Sequence, residues 1–455
     1  MSSRRVIVIG GGLAGIAAAL DSVAGGAEVT LLEARGRLGG AAYSFQRGGL
    51  EVDNGQHVFL RCCTAYRELI GRLEAQALVT MQPRLSVAVL APGGRRGYLS
   101  RTGLPAPLHL AASLARYPYI SWRERLSLAW AMQRLRAVDI NDPEADGVPF
   151  GRWLAAQRQS RNAVAAVWEL ITRPTLNLGV DDASLAQAAQ VFQVGLLSDA
   201  AAGDIGWALA PLSEIHDRAA ARALQRAGVQ VQLRSGAQTI SVEPAGGFLV
   251  RGRAFGERHA DAVVVALSPA RAAQIVPAAA GLRDGFAAAL GSSAILNLHV
   301  IYDRKVLEQP FAATIGTPLQ WIFDRTASSG LREGQYLAVS LSAADGERHD
   351  SVAALRARYL PELAGVLPAA RGAQVREFFV TREHTATFRA APGQRAWRPG
   401  PRTRLDGLLL AGAWTDTGWP ATMEGAVRSG QAAARVALAG LSGARRGAEH
   451  ASVPA

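Results

Sequence analysis

Val6-Ile-Val-Ile-Gly10-Gly-Gly-Leu-Ala-Gly15-Ile-Ala-Ala-Ala-Leu20 decides the fold. Residues 6–9 are β-branched and apolar, as an inner strand requires, and they run straight into three glycines. An alanine-rich helix over 13–24 follows, and 27–33 reads as a second buried strand. The unit is strand, tight turn, helix, strand, with G-x-G-x-x-G spacing across the turn. Gly10 turns the chain, Gly12 lets a pyrophosphate approach the backbone, and Gly15 lets the helix lie against the sheet. The helix start at Leu13 and Ala14 offers amide donors and a partial positive charge. Glu33 ends the second strand, where a carboxylate accepts both ribose hydroxyls of an adenosine and disfavours a 2′-phosphate. A dinucleotide site is expected.

Working outward, the 455 residues leave room for two or three domains. A composition 49% hydrophobic and 19% charged excludes a disordered chain. Two cysteines, the adjacent Cys62 and Cys63, exclude a disulfide scaffold and read as small core residues in a reducing compartment. The net charge is +12, and every basic residue except Lys305 is arginine. The arginines are scattered, with no zinc-finger spacing or aromatic RNA-binding box, so no nucleic-acid partner is expected. No apolar run approaches the ~20 residues that span a bilayer. The first strand begins within five residues of Met1, so no removable signal segment is expected. The expected location is cytoplasmic, either soluble or peripheral at the inner face of the membrane.

Further α/β segments lie at 229–233, 239–243, 248–252 and 261–267, and a last buried strand at 407–411 leads to a helix over about 423–438. Residues 85–205 read as mainly helical, and 290–395 as mixed with strands at 295–301 and 335–342. The nucleotide-binding segments are therefore split in three.

Three stretches then extend the first turn: Glu33-Ala-Arg-Gly-Arg-Leu-Gly-Gly-Ala-Ala-Tyr-Ser44, Asp53-Asn-Gly-Gln-His57, and Leu410-Ala-Gly-Ala-Trp-Thr-Asp-Thr-Gly-Trp-Pro-Ala-Thr-Met-Glu-Gly-Ala-Val-Arg-Ser-Gly430. In that order they resemble the flavin amine oxidase and phytoene desaturase superfamily, which implies FAD. On that resemblance Glu33, Ala34, Arg35, Arg37, Gly39, Gly40 and Ala41 follow the adenosine and diphosphate. Gly55, Gln56 and His57 line the isoalloxazine, and Ala237 adds a contact from the middle segment. Gly412, Ala413, Thr422, Met423 and Glu424 close the site, the amide near Met423 stabilising negative charge on reduced flavin. Many relatives carry arginine at Ala41 and aspartate at Ala413, so two contacts are missing or supplied elsewhere. The expected fold is α/β: a discontinuous Rossmann-type FAD-binding domain (1–84, 205–288, 400–440) with an inserted α+β, helix-rich substrate domain (85–204, 289–399). Residues 441–455 are expected to be a disordered tail.

Amine oxidases of this superfamily place a lysine near flavin N5. The comparable strand here offers Asn297 or His299 instead. Val52 through Tyr66, Leu104-Pro-Ala-Pro-Leu-His109, Thr172-Arg-Pro-Thr-Leu-Asn177, Asp181-Asp-Ala-Ser184 and Trp414 through Gly425 are similar to the hydroxysqualene dehydroxylases of bacterial hopanoid pathways. That resemblance implies reductive removal of an allylic hydroxyl from hydroxysqualene, giving squalene. The alternatives are a carotenoid or phytoene-type desaturase, an amine oxidase, and a non-catalytic FAD-stabilised partner. Such a site needs an acid to protonate the leaving hydroxyl. Candidates are Asp416, and Asp181 or Asp182 with Arg173 nearby. Asp181-Asp182 reads equally as an N-cap for a helix over 183–193, Asp416 as a turn residue, and Glu424 as a flavin contact or a cap for its own helix. The electron donor is left open. Residues 104–137 alternate leucine and tryptophan with Arg116, Arg123, Arg125, Arg134 and Arg136, a pattern suited to an anionic membrane surface or to a helical lid.

Overall fold

The structure is a computed structural model that describes residues 4–451, with side chains described for 4–441. Its centre is a five-stranded parallel sheet in the order Gln230–Gln232, Ala27–Leu32, Arg4–Ile9, Ala262–Val265, Leu408–Leu410. Strands buried on both faces are apolar: Ala262–Val265 and Leu408–Leu410 are wholly so and Arg4–Ile9 from Val6 onward, while the edge strand Gln230–Gln232 is polar and partly exposed. Successive residues of Arg4–Ile9 point to opposite sides, Val6 and Val8 into one core, Ile7 and Ile9 into the other.

The helix Leu13–Ala24 covers one face and is itself covered by the C-terminal helix Met423–Ala451. That packing is backbone against backbone. A Cβ on Gly15 would stand 1.8 Å from the Gly10 carbonyl oxygen, and one on Gly430 would stand 2.0 Å from that of Ala14. Ala17, Ala18 and Ala19 are fully buried between the layers.

The second body is a seven-stranded sheet in the order Val375–Thr387, Ser293–Tyr302, Gln335–Ser342, Trp321–Asp324, Phe311–Thr314, Ser86–Ala91, Arg95–Ser100. Helix Val352–Val366 packs on one face through Leu355, Tyr359 and Leu363, which meet Leu296, Leu298 and Val300. Asn297 and His299, the alternate residues of Ser293–Tyr302, turn the other way, and the Asn297 amide reaches Asn54 of the first body.

Three expectations change. Residues 86–100 are a hairpin rather than helix, because Pro92-Gly93-Gly94 turns two alternating strands back on each other. Residues 239–252 do not join the parallel sheet; they form an antiparallel meander with Gly256–Ala260. The tail is ordered further than expected: the last helix continues to Ala451, as its alanine and arginine content favours, and 452–455 lie outside the described residues.

A buried ion pair ties the two bodies together. Arg325, just past Trp321–Asp324, pairs with Asp53 at the end of Leu50–Asp53. Asp53 also accepts from Ser44 Oγ (2.6 Å) and the Leu212 amide (3.0 Å), and Arg325 donates to the Ala208 carbonyl (3.2 Å). Removing one member leaves the other charge buried and unpaired. Asp53→Ala is expected to lower unfolding free energy by about 3–5 kcal/mol in urea titrations.

Candidate functional site

The first turn forms a cradle of bare backbone. A Cβ on Gly40, whose φ is +58°, would stand 2.8 Å from Gly12 Cα, so only glycine lets these two turns meet. Glu33 is buried beneath it: Oε2 accepts from the Gly11 amide at 2.6 Å and Oε1 from the Arg35 amide at 2.7 Å. Each oxygen keeps a second lone-pair direction for a ribose hydroxyl. The middle segment runs alongside, Ser235 N donating to Glu33 O (2.7 Å) and Arg234 N to Arg35 O (3.0 Å), with Gly236 against Ala34 and Ala237 following.

Arg37 donates to the carbonyls of Leu38 (3.0 Å) and Gly40 (3.1 Å) and lies over the Tyr43 ring at 3.6 Å. Burial and the neighbouring Arg35 lower its pKa. It thus anchors the Gly39-Gly40 turn and brings a cation to a place where Ala41 brings none. The glycine cradle, the buried carboxylate and this arginine fit a dinucleotide diphosphate.

Asn54 joins the two bodies at the next motif. Its Oδ1 accepts from Tyr43 N (3.0 Å), and its Nδ2 donates to Ala41 O (2.9 Å) and Glu383 Oε1 (2.8 Å). Its carbonyl accepts from Asn297 Nδ2 (3.2 Å) and Thr381 Oγ1 (3.1 Å). Asn297 Oδ1 is buried beside Gly55 with no partner in the protein, an acceptor left for a bound molecule. Sequence reading missed Thr381 and Glu383. Their signal was strand alternation over 375–387, which sets them two apart on one face, opposite Asn297 and Ile295.

Three histidines stand near this junction, His216 and His299 fully buried and His57 half-buried. His216 donates from Nδ1 to Ala42 O (3.1 Å) and accepts from Tyr66 OH at Nε2 (2.8 Å). His299 donates to Thr381 Oγ1 (3.0 Å) and accepts from Tyr336 OH (2.6 Å), stacked on Phe379. Burial pushes His216 down to about 4, with the His57 ring close by, and His299 to about 3. Burial and the Arg325 charge hold His57 at about 4. All three are neutral at pH 7, so none is a ready proton donor.

At the C-terminal motif, Thr422 Oγ1 accepts from the Gly425 amide (3.1 Å), which opens the helix that Met423 begins. Arg398 gathers the preceding loop, its guanidinium donating to the carbonyls of Thr415 (2.6 Å), Trp419 (2.7 Å), Ala413 (3.3 Å) and Trp414 (3.3 Å). Burial pushes it down to about 10. No motif pointed to Arg398; its signal is tertiary. It organises the loop from the carbonyl side of Ala413, where related desaturases have aspartate.

The candidate acids are not brought together. Asp416 Oδ1 accepts from Gly418 N (3.2 Å) and Oδ2 lies 3.5 Å from Arg395 Nε, a turn and an ion pair. Asp181 and Asp182 are exposed, and Arg173 pairs with Glu169 one turn earlier. The cap reading of the aspartate pair is corrected: Ser184, whose Oγ accepts from Gln187 N, caps Leu185–Phe192. The reading of Glu424 as a cap of its own helix is corrected too. Glu424 caps a different helix, Thr64–Arg72, taking the amides of Ala65 (3.1 Å) and Tyr66 (2.7 Å) as well as Arg428 Nε (2.6 Å). Lys305 is at the surface, paired with Glu308. No three-residue metal cluster occurs among the described residues.

Residues 13–438 match the family of flavin containing amine oxidoreductases. The chain is 30% identical to a hydroxysqualene dehydroxylase of Rhodopseudomonas palustris, covering 96% of this chain and 99% of that one. It is 24% identical to a zeta-carotene desaturase of Synechocystis, covering 96% and 97%. In fold it is similar to cyclohexylamine oxidase from Brevibacterium oxydans, with a TM-score of 0.69 at 19% identity over 97% of this chain and 100% of that one.

Glu33→Ala removes an acceptor from two amides and from the ribose. FAD affinity, read by fluorescence titration, is expected to fall by about 1.5–3 kcal/mol. The histidines make stability depend on pH with a definite sign. Between about 4 and the ordinary value of 6.5, the unfolded chain binds protons that folded His57 and His216 refuse. Stability is therefore expected to fall as pH drops through that window, and less steeply in His216→Gln, as thermal melts would show.

Proposed function

The chain belongs to the flavin-containing amine oxidoreductase family and is an FAD-dependent oxidoreductase, and we propose that its reaction is the reductive dehydroxylation of hydroxysqualene to squalene. The observation that carries this reading is the full-length likeness to a hydroxysqualene dehydroxylase. The side chains at the junction of the two bodies suit it. The strand comparable, on the resemblance, to the one on which amine oxidases of the superfamily carry a lysine has none and offers Asn297 or His299, and a carboxyl group, Glu383, stands beside the Asn54 amide.

The bond that breaks is an allylic C–O bond in the middle of a long isoprenoid, and the bond that forms is C–H. Hydroxide leaves poorly, so the hydroxyl must take a proton and depart as water. Bound FAD, once reduced by an external two-electron donor, supplies the hydride. Glu383 is the carboxyl group proposed to supply the proton, taken up from solvent on Oε2 before turnover, while its Oε1 accepts from Asn54 Nδ2 and Tyr43 OH. Asn297 Oδ1 is proposed to orient bound groups rather than to take a proton, since a neutral amide has no basicity at pH 7.

A carotenoid-type desaturation is the second reading, favoured by the likeness to a zeta-carotene desaturase; it moves hydride in the opposite sense on a similar chain. Anaerobic incubation with hydroxysqualene and photoreduced FAD is expected to give squalene, and phytoene with oxidised FAD to give nothing. The reverse outcome favours the desaturase. Glu383→Gln is expected to lower kcat by ~10²–10⁴ while leaving FAD affinity unchanged. Unchanged turnover in that variant would move the acid elsewhere.

A further inference from the structure

Helix Trp122–Arg136 is apolar on two sides. Leu128, Ala131 and Leu135 face the core and are fully buried. Trp122, Leu126 and Trp130 follow one another at four-residue spacing, which puts them on one face, and are 63%, 65% and 62% exposed. Leu104, Leu108 and Tyr98 are exposed as well, so six of the eleven large exposed apolar side chains among the described residues fall within residues 98–130. The short helix Ala111–Arg116 packs against both the Arg95–Ser100 strand and the tryptophan helix, which makes the segment one continuous surface. Single exposed apolar residues are ordinary; a cluster of this density marks a contact.

The charge around the cluster selects the partner. Arg96, Arg116, Arg123, Arg134 and Arg136 are exposed. On the helix, Arg123 and Arg134 flank one edge of the apolar stripe and Arg136 the other, at 100° per residue. Glu124 is the one acid in the segment, and it is occupied: it accepts from Ser121 N (2.7 Å), Ser160 Oγ (2.5 Å) and Asn162 Nδ2 (3.1 Å), which hold it near pKa 2. Arg125, expected on the outer surface, instead turns inward to the Tyr117 carbonyl (2.9 Å) with its Nε buried. A second copy of this chain would bring the same arginines face to face. An anionic bilayer neutralises them while tryptophan rings settle at headgroup depth.

We propose that this face, Trp122, Leu126 and Trp130 with the flanking arginines, docks the protein on an anionic phospholipid surface. No helix among the described residues is long and apolar enough to cross a membrane, so the attachment is peripheral, as the inner face of a cytoplasmic membrane would provide. Docking needs only exposure and charge. That the same face admits an isoprenoid substrate rests on the reaction proposed above.

Flotation of the FAD-loaded protein tests docking without any substrate. The protein is expected to float with vesicles of phosphatidylglycerol and phosphatidylcholine, at least tenfold less with phosphatidylcholine alone, and progressively less as salt rises. Trp122→Ser/Leu126→Ser/Trp130→Ser is expected to lose at least tenfold in partitioning, with FAD content and melting temperature kept. Arg123→Gln/Arg134→Gln/Arg136→Gln is expected to lose about fivefold per arginine, before losses to geometry, and most of the salt dependence. Equal flotation on neutral vesicles, or a triple Ser variant that floats like the parent, overturns the proposal. So does light scattering that shows a dimer broken by the Ser changes without any flotation. Turnover on vesicle-borne against detergent-dispersed hydroxysqualene then separates failure of docking from failure of the reaction.

Discussion

The protein is organised around one close approach: a helix whose backbone touches the sheet turn on one side and another helix on the other. Gly15 makes the first contact and Gly430 the second, and neither tolerates a Cβ. With glycine at both contacts and the run Ala17-Ala18-Ala19 beside them, helix Leu13–Ala24 sits low enough for its N-terminus to face the Gly10–Gly12 turn. Partial charges at a helix end act over short distances, so a helix raised by even one side-chain layer would leave those amides too far away to hold a phosphate. Because Gly430 lies in the last helix, the two ends of the chain must be in place together before that site exists.

The same economy of position governs the junction between the bodies. Asn54 makes six hydrogen bonds to five residues, Tyr43 (twice), Ala41, Glu383, Asn297 and Thr381. It thereby couples the glycine turn at 39–42 to two strands of the seven-stranded sheet. Below it the Asp53–Arg325 pair closes a second link across the same boundary. A buried charge pair is weak evidence for stability, yet it fixes orientation strongly, since each misplacement strands a charge. Groups on the two bodies are thus held in one register.

Arginine does three different jobs here. Arg398 gathers carbonyls that would otherwise repel one another at the closing loop, a task for which its fan of donors is suited. Arg325 and Arg37 lock the site's framework. The exposed arginines of the tryptophan helix, Arg123, Arg134 and Arg136, face outward, Arg123 lying over the Trp122 ring.

Much of this was legible in the sequence because the signals are local. The β-branched strand, the glycine spacing and Glu33 at the end of the next strand are dictated by backbone sterics within one supersecondary unit, and they predict the parallel sheet and its dinucleotide turn. The hairpin at 86–100 was also legible in principle, in the Pro92-Gly93-Gly94 turn. What only the tertiary structure decided are partnerships between residues far apart. Glu424 meets the amides of Ala65 and Tyr66, Glu383 meets Asn54, and Arg398 meets four carbonyls 15 to 21 residues away. Arg123 and Arg125 are two residues apart, and only packing turned one outward and the other in. A side chain's chemistry is written in its identity, but its partner is set by which surfaces the fold brings within hydrogen-bond reach, and that depends on the whole chain at once.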